Sequence, residues 1–330
     1  MPSRLALEIA ETPQVIERQL TANQVTVIDL VAQLRARPPS LIMMIGRGTS
    51  DHAGVFAKYL FEVSCGIPVA AAAPSVASLY QRQLQLKGCL AIVISQSGRS
   101  PDIIEQAAQA KRAGAVVVAI VNAEDAPLCA HADWVVGMQA GREQAVAASK
   151  SYLASLTVLL HIAAQWQGNT ELLVALQQFP QQLAALEQYP LVLQPSQFQD
   201  LQHCIVLGRG FGYAIAREMA LKLKEVLGLH AEAFSSAEFL HGPITLTRQP
   251  LTIIDLSIDD ESAEAHQQQM REIAARGARV IHVRSDAAIH PRLQPLALMW
   301  RFYQALETIA RSRGLDPDAP PGLKKITETY

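Results

Sequence analysis

Three charged side chains on one predicted helix, and a histidine just beyond it, carry the chemistry this sequence offers. They lie in the stretch GRGFGYAIAREMALKLKEVLGLHAEAFSSAEFLHGP, from Gly208 to Pro243. On a helical wheel Ala216, Ala220, Leu223 and Leu227 share one face, while Glu218, Lys222 and Glu225 share the opposite one. Glu232, Glu238 and then His241, beside Gly242-Pro243, follow. A carboxylate, an ammonium and an imidazole within so short a span are the parts needed to move protons on a sugar. The same residues also fit a plain description. Glu218 four residues before Lys222 is the favourable order for a solvated ion pair, worth about 0.3–0.5 kcal/mol, and His241 before Gly-Pro fits an ordinary turn.

The elements that must position these groups read as alternating strands and helices. The apolar run His203–Leu207 is a buried strand that ends in the glycine turn of the stretch above. Earlier in the chain, residues 8–36 form a helical preamble closed by Pro38-Pro39. Leu41–Ile45 is a buried strand, Gly46-Arg47-Gly48-Thr49-Ser50 a glycine turn, and Asp51–Glu62 a helix. Ile67–Ala72, Leu90–Ile94, Ala115–Val121 and Trp134–Val136 are further strands, with a helix running to Ala113 and a long one expected over Glu143–Gln165. After a polar, Gln-rich segment the pattern restarts: Cys204–Leu207 with Gly208-Arg209-Gly210 echoes Leu41–Ile45 with Gly46-Arg47-Gly48, as a duplicated α/β domain would. Strands at Leu251–Leu256 and Arg279–Val283 and helices at Ser262–Arg276 and Leu296–Ser312 complete the second half. Such alternation indicates parallel sheets with helices on both faces.

Composition narrows the function classes. The 330 residues are 50% apolar and 18% charged, which favours a sizeable core over disorder. A net charge of −2 without a basic run argues against nucleic acid and anionic membranes as partners. The scattered cysteines Cys65, Cys89, Cys129 and Cys204 lack a C-x-x-C pair and read as reduced thiols, without a metal site or a disulfide framework. The start has no signal-peptide core and no apolar run is long enough to span a bilayer, so a cytoplasmic protein is expected.

A glycine turn between strand and helix aims backbone N–H groups at the helix N-terminus, a natural seat for phosphate. Neither turn has the Lys of a Walker A loop. Gly46-Arg47-Gly48 also lacks the third glycine and the acidic partner of a dinucleotide fingerprint. The loop Ser95-Gln96-Ser97-Gly98-Arg99-Ser100 is more telling. It gathers hydroxyl and amide donors at the mouth of a helix, with Thr49 and Ser50 at the parallel position of the first strand. One N-cap per helix explains one hydroxyl each, not four polar groups in six residues, so a metal-free phosphomonoester site is expected here. The second glycine turn has no such cluster beside it.

The pieces GRGTSDHAG, SQSGRSPD, AGREQAVAASKS, ALKLKEVLGLHAEAF and AEFLHGP, in this order, resemble the tandem sugar-isomerase (SIS) domains of glucosamine-6-phosphate synthase. The resemblance runs from Glu8 into the tail. It implies an α/β fold of two tandem SIS domains, each a parallel sheet flanked by helices in a flavodoxin-like three-layer α/β/α arrangement. The expected organisation is a helical segment over 1–38, a sugar-phosphate-binding domain over 39–166 and a connection over 167–200. A catalytic domain over 201–313 and a closing tail over 314–330 follow. The synthase carries an additional glutaminase domain, whereas this sequence starts in the isomerase portion, so a glucosamine-6-phosphate deaminase of the SIS type is the expected activity. Its products would be fructose 6-phosphate and ammonia.

The resemblance also implies roles, residue by residue. Gly48, Thr49, Ser50, Ser95, Gln96, Ser97 and Ser100 match the sugar-phosphate site, with Val146, Ala148 and Lys324 as further substrate contacts. Glu225 matches the base that moves the C2 proton to C1, Lys222 the cation beside it, His241 the ring-opening histidine and Lys325 the lysine of the closing tail. In the family the histidine comes from a neighbouring subunit, which implies a homodimer, and no metal or organic cofactor is required. Arg99 replaces a Glu, Ala148 a Ser and Leu240 a Lys of the synthase pattern, which bears on sugar specificity. Rival readings are a fructosamine-6-phosphate deglycase, a galactosamine-6-phosphate deaminase/isomerase, and a non-enzymatic sugar-phosphate sensor.

Overall fold

The computed structural model describes residues 2–284 and 288–325. Two helices open the chain, α1 (Arg4–Ala10) and α2 (Thr12–Ala36). The first run of alternating elements is β1 (Ile42–Ile45), α3 (Thr49–Cys65), β2 (Val69–Ala71), α4 (Pro74–Ser78), β3 (Leu90–Ser95), α5 (Pro101–Arg112), β4 (Val116–Val121) and β5 (Trp134–Gly137). Helices α6 (Lys150–Gln167) and α7 (Thr170–Ala185) come next. The second run is β6 (His203–Gly208), α8 (Phe211–Leu227), β7 (His230–Ser235), α9 (Ser236–Leu240), β8 (Thr252–Ser257), α10 (Ala263–Ala274), β9 (Arg279–Arg284) and α11 (Gln294–Ser312).

Every strand pairing is parallel, in a five-stranded sheet ordered β2-β1-β3-β4-β5 and a four-stranded sheet ordered β7-β6-β8-β9. Strands β1 and β3 are buried along their whole length, as a parallel strand covered on both faces must be. That is why they appear in the sequence as unbroken apolar runs. In the first sheet the register sets Ile42 against Leu90 and Leu90 against Val116, and the core around it contains Met43, Val93, Ile103, Ala107 and Val117. In the second sheet Ile205, Leu207, Ile253 and Ile273 pack with Phe239. The expected α/β class with two parallel sheets is what the chain adopts.

The backbone divides into two units. One comprises Glu11–Glu143 and Lys150–Pro180 with the last described residues, Lys324 and Lys325; the other comprises residues 2–10, 144–149 and 181–323. In each sheet two neighbouring strands, β1/β3 and β6/β8, send their following helices to opposite faces. Open α/β sheets hold their ligands at such a switch point, beyond the strands' carboxyl ends.

One expectation needs correction. Residues 143–149 are not helical, and α6 starts at Lys150. The Ala-rich sequence has helical propensity, but its backbone donors are taken by groups far along the chain. Glu8 accepts from Gln144 N and Ala145 N, and Asp318 O accepts from Val146 N. The Gln-rich segment over 167–200 contains the sixteen-residue helix α7. Leu172, Leu176, Phe179 and Leu183 are its buried side. Residues 326–330 of the expected tail lie outside the described residues.

Candidate active site

The first cluster lies at the β1/β3 switch point. Gly48 caps α3 at φ 54°, ψ −124°, a conformation only glycine adopts without strain, and Thr49 and Ser50 follow as the first residues of the helix. β3 ends at Ser95 and α5 starts at Pro101, so Gln96, Ser97 and Ser100 form the mouth of that helix. Within the loop, Ser95 Oγ accepts from Gly98 N at 3.1 Å and Ser97 Oγ from Arg99 N at 3.3 Å. Ser100 precedes α5, yet its hydroxyl does not cap the helix. The side chains of Ser50, Gln96 and Ser100 have no hydrogen-bond partner among the described residues, which leaves them to a ligand. Gly98 sits at φ 60°, and a methyl group there would stand 2.6 Å from Ala126 Cβ.

The charges around this loop favour an anion. Asp102, buried in the first turn of α5, would repel one, but Arg47 of the glycine turn holds its Oδ2 at 2.9 Å and Ile103 N donates to its Oδ1. Arg47 and Arg99 both remain about half exposed. The positive end of α5, the uncommitted hydroxyls, and Arg47 and Arg99, paired with Asp102 and Asp125, are the groups a phosphate ester would meet here. At the corresponding place after β8, the loop carries Asp259, Asp260 and Glu261 instead of serines. Asp260 Oδ1 there accepts from both Ser262 N and Ser262 Oγ. Gly210 repeats the conformation of Gly48, at φ 52° and ψ −122°, but a Cβ there would stand 3.7 Å from Asp260 Oδ2, so a carboxylate faces this turn.

The second cluster is on α8, and it is not the solvated face that the wheel allowed. Glu218 and Lys222 are 0% and 1% exposed. Lys222 Nζ lies 3.4 Å from Glu218 Oε1 and 2.5 Å from Glu225 Oε2. Tyr303 of α11 donates from its hydroxyl to Glu218 Oε1 at 3.4 Å. Burial disfavours the Lys222 ammonium, but the two carboxylates outweigh burial and hold its pKa above the ordinary lysine value. Lys222 is therefore a fixed cation. Glu225 is the member that meets solvent, at 22% side-chain exposure, and its Oε1 has no partner among the described residues. A carboxylate with one oxygen anchored and the other open is placed to take up and return a proton.

His241 follows α9 in the same unit as Glu225. It is exposed, and its imidazole makes no hydrogen bond among the described residues. Val146 and Ala148 also lie in this unit, in the non-helical segment, where Val146 N is committed to Asp318 O at 3.2 Å. Lys324 is exposed. Lys325 belongs with the phosphate-loop unit, where its Nζ donates to Glu143 Oε2 at 3.1 Å. Glu143 went unremarked in the sequence beyond its place in AGREQAVAASKS. Its buried carboxylate also accepts from Ser151 N at 3.1 Å and Ser151 Oγ at 2.7 Å, starting α6 and tethering the tail lysine together. The thiols are poor nucleophiles: burial pushes Cys65 up to about 11 and Cys204 up to about 12. Among the described residues no group of three or more His, Cys, Asp and Glu could hold a metal ion, and no helix is long and apolar enough to cross a membrane.

Comparison with known proteins follows the same two halves. The SIS domain model matches residues 38–164 and 197–286. The isomerising glutamine–fructose-6-phosphate aminotransferase of Thermus thermophilus is 30% identical over 356 aligned positions, covering 98% of this chain and 58% of its own. The chain thus spans under two thirds of such relatives. A Silicibacter pomeroyi protein provisionally described as a phosphosugar isomerase is 34% identical with a TM-score of 0.86, covering 96% of this chain and all of its own. The glucosamine-6-phosphate deaminase of Thermotoga maritima, at 21% identity and a TM-score of 0.76 over 99% of this chain, shares the fold. With that domain matched in both halves, each built on a parallel sheet with a glycine turn after its first strand in chain order, the chain belongs to the SIS domain family.

Proposed function

We propose that the protein is an isomerising glucosamine-6-phosphate deaminase. The observation that carries this reading is the buried Lys222 between Glu218 and Glu225, with Glu225 alone open to a substrate. The loop from Ser95 to Ser100, with Thr49 and Ser50, binds the phosphate of a 2-amino-2-deoxyhexose 6-phosphate. His241 protonates the ring oxygen and assists removal of the anomeric hydroxyl proton, opening the ring to the aldehyde. Glu225 then removes the C2 proton and returns it at C1, through an enolamine. Lys222 stabilises the negative charge that develops on the C1 oxygen. An N–H proton is transferred to the C1 oxygen, leaving a C1 hydroxyl beside a C2 imine; one water adds across the imine, ammonia leaves, and fructose 6-phosphate remains.

Val146, Ala148 and Lys324 contact the sugar in this reading, and Lys325 shields the open chain from water. His241 acts on the substrate of a second copy in a homodimer, which suits an exposed imidazole with no hydrogen bond in its own chain. No cofactor takes part.

The test is direct. Purified protein incubated with glucosamine 6-phosphate should release ammonia and fructose 6-phosphate in equal amounts. Greater turnover of galactosamine 6-phosphate would reassign the sugar, and amino-acid release from fructoselysine 6-phosphate would reassign the leaving group. Binding without any product would replace the enzyme with a sugar-phosphate sensor.

A further inference from the structure

His241 stands at the end of a weak element. Helix α9 has five residues, too few to be stable by itself, and the imidazole it presents is exposed. Its rigidity comes from its first residue. Ser236 is fully buried; its Oγ donates to Gln269 Oε1 at 2.5 Å and lies 2.9 Å from His266 Nδ1, both partners being on α10. His266 Nε2 donates to Asp255 Oδ1 at 2.6 Å, and Asp255 Oδ2 accepts from His282 Nδ1 at 2.7 Å. Asp255 is in β8 and His282 in β9, so a chain of hydrogen bonds keys α9 to the middle of its sheet. Burial alone would raise the Asp255 pKa, but the two histidines outweigh it and hold the carboxyl below its ordinary value.

The order Ser–His–Asp has the look of a hydrolytic triad, but the geometry refuses that role. Ser236 has no exposed surface, and its proton is directed to Gln269 rather than to His266. A polar chain buried at Ser236, His266 and Asp255, and open to solvent only at His282 and Gln269, instead fixes one arrangement of the elements it joins. At the other end of α9, Phe239 is buried edge-on against Phe234 with ring centroids 5.8 Å apart. The helix is pinned at both ends, with His241 projecting past the second pin.

We propose that Ser236 and His266 are positioning residues for ring opening, holding α9 so that His241 meets the sugar in a productive pose. This rests on His241 being the ring-opening group. Ring opening is isolated by following anomer interconversion of glucosamine 6-phosphate by NMR exchange in a Glu225→Gln background, where the C2 step is blocked. Adding Ser236→Ala should slow interconversion about 10- to 100-fold, the cost of a misplaced group, while sugar-phosphate binding stays. His266→Asn, whose amide can replace Nδ1 toward Ser236, should retain most of the rate. His266→Gln, which replaces Nε2 toward Asp255, should lose it, although both variants lower the melting temperature. That split would not arise from a merely structural role.

Equal interconversion with and without Ser236→Ala, or equal losses in the two His266 variants, overturns the inference and leaves the deaminase reading standing. No acceleration by the Glu225→Gln enzyme itself removes the role given to His241, and this inference with it.

Discussion

Replacing Lys222 by methionine separates what the α8 ion cluster does for the fold from what it does for chemistry. At an effective dielectric of about 20, unit charges at the 3.4 Å between Lys222 and Glu218 attract by about 5 kcal/mol before desolvation is counted. Methionine fills the space but leaves the Glu218 carboxylate, which is 0% exposed, without its cation. Breaking a buried pair in this way costs about 3–5 kcal/mol, a large share of the 5–15 kcal/mol that typically holds a domain together. The assay is urea denaturation at pH 7, read as a shift in midpoint at constant slope. The double variant Glu218→Gln/Lys222→Met no longer buries a carboxylate beside the apolar methionine and should regain about 2 kcal/mol or more of that loss. Neither variant should release ammonia from glucosamine 6-phosphate, because both lack the cation facing the C1 oxygen. A single variant destabilised by less than about 1 kcal/mol, or a double variant no more stable than the single, would refute the reasoning.

Glu225→Gln should lower kcat by about 10²–10⁴-fold with KM nearly unchanged, and full turnover in that variant would take Glu225 out of the mechanism. Ser100→Ala removes a hydroxyl that caps nothing, so KM for the sugar phosphate should rise about tenfold with no change in melting temperature; Gly98→Ala, which drives a methyl to 2.6 Å from Ala126 Cβ, should harm both. Burial lowers the His161 pKa from 6.5 to about 4, so the unfolded chain binds a proton across that window and the folded chain does not. Stability should therefore fall by about 3 kcal/mol as pH drops from 6.5 to 4. His161→Phe should flatten that part of the urea-midpoint profile, and an identical profile in the variant would show that His161 is not the group responsible.

What the sequence made legible and what it hid follow from the range of the interactions involved. Strands such as Leu90–Ser95 announce themselves because a parallel strand buried on both faces must be apolar throughout. The serine loop is legible because its polar groups are consecutive in the chain. Residues 143–149 misled because the carboxylate and carbonyl that hold them open, from Glu8 and Asp318, are more than a hundred positions away on either side. Strand β7 (His230–Ser235) is an edge strand with two exposed positions, so it lacks a continuous apolar signature. The wheel of α8 separates a charged face from an apolar one but does not say which face meets water. Tyr303 of α11 is part of what covers Glu218, and only the fold brings it there.

The two halves supply their own control for why those charges are buried. Helices α3 and α8 have the same seventeen-residue length, start from glycines in nearly the same backbone conformation and end at glycines with positive φ, so they align position by position. Glu218 then falls opposite Phe56, Lys222 opposite Leu60 and Glu225 opposite Val63. Phe56 and Leu60 are both 0% exposed, so in the first half these places are ordinary core. The fold therefore has an apolar solution at these positions, and apolar replacement of a buried ion cluster often gains about 1–4 kcal/mol. An ammonium kept between two carboxylates at such positions is not explained by stability. The loops diverge the other way: serine hydroxyls follow β3, while Asp259, Asp260 and Glu261 follow β8. One half has a serine loop beside an apolar helix; the other has an acidic loop beside a helix with charge inside it. On the proposed function, a division of labour between ester recognition and proton transfer would account for both departures at once.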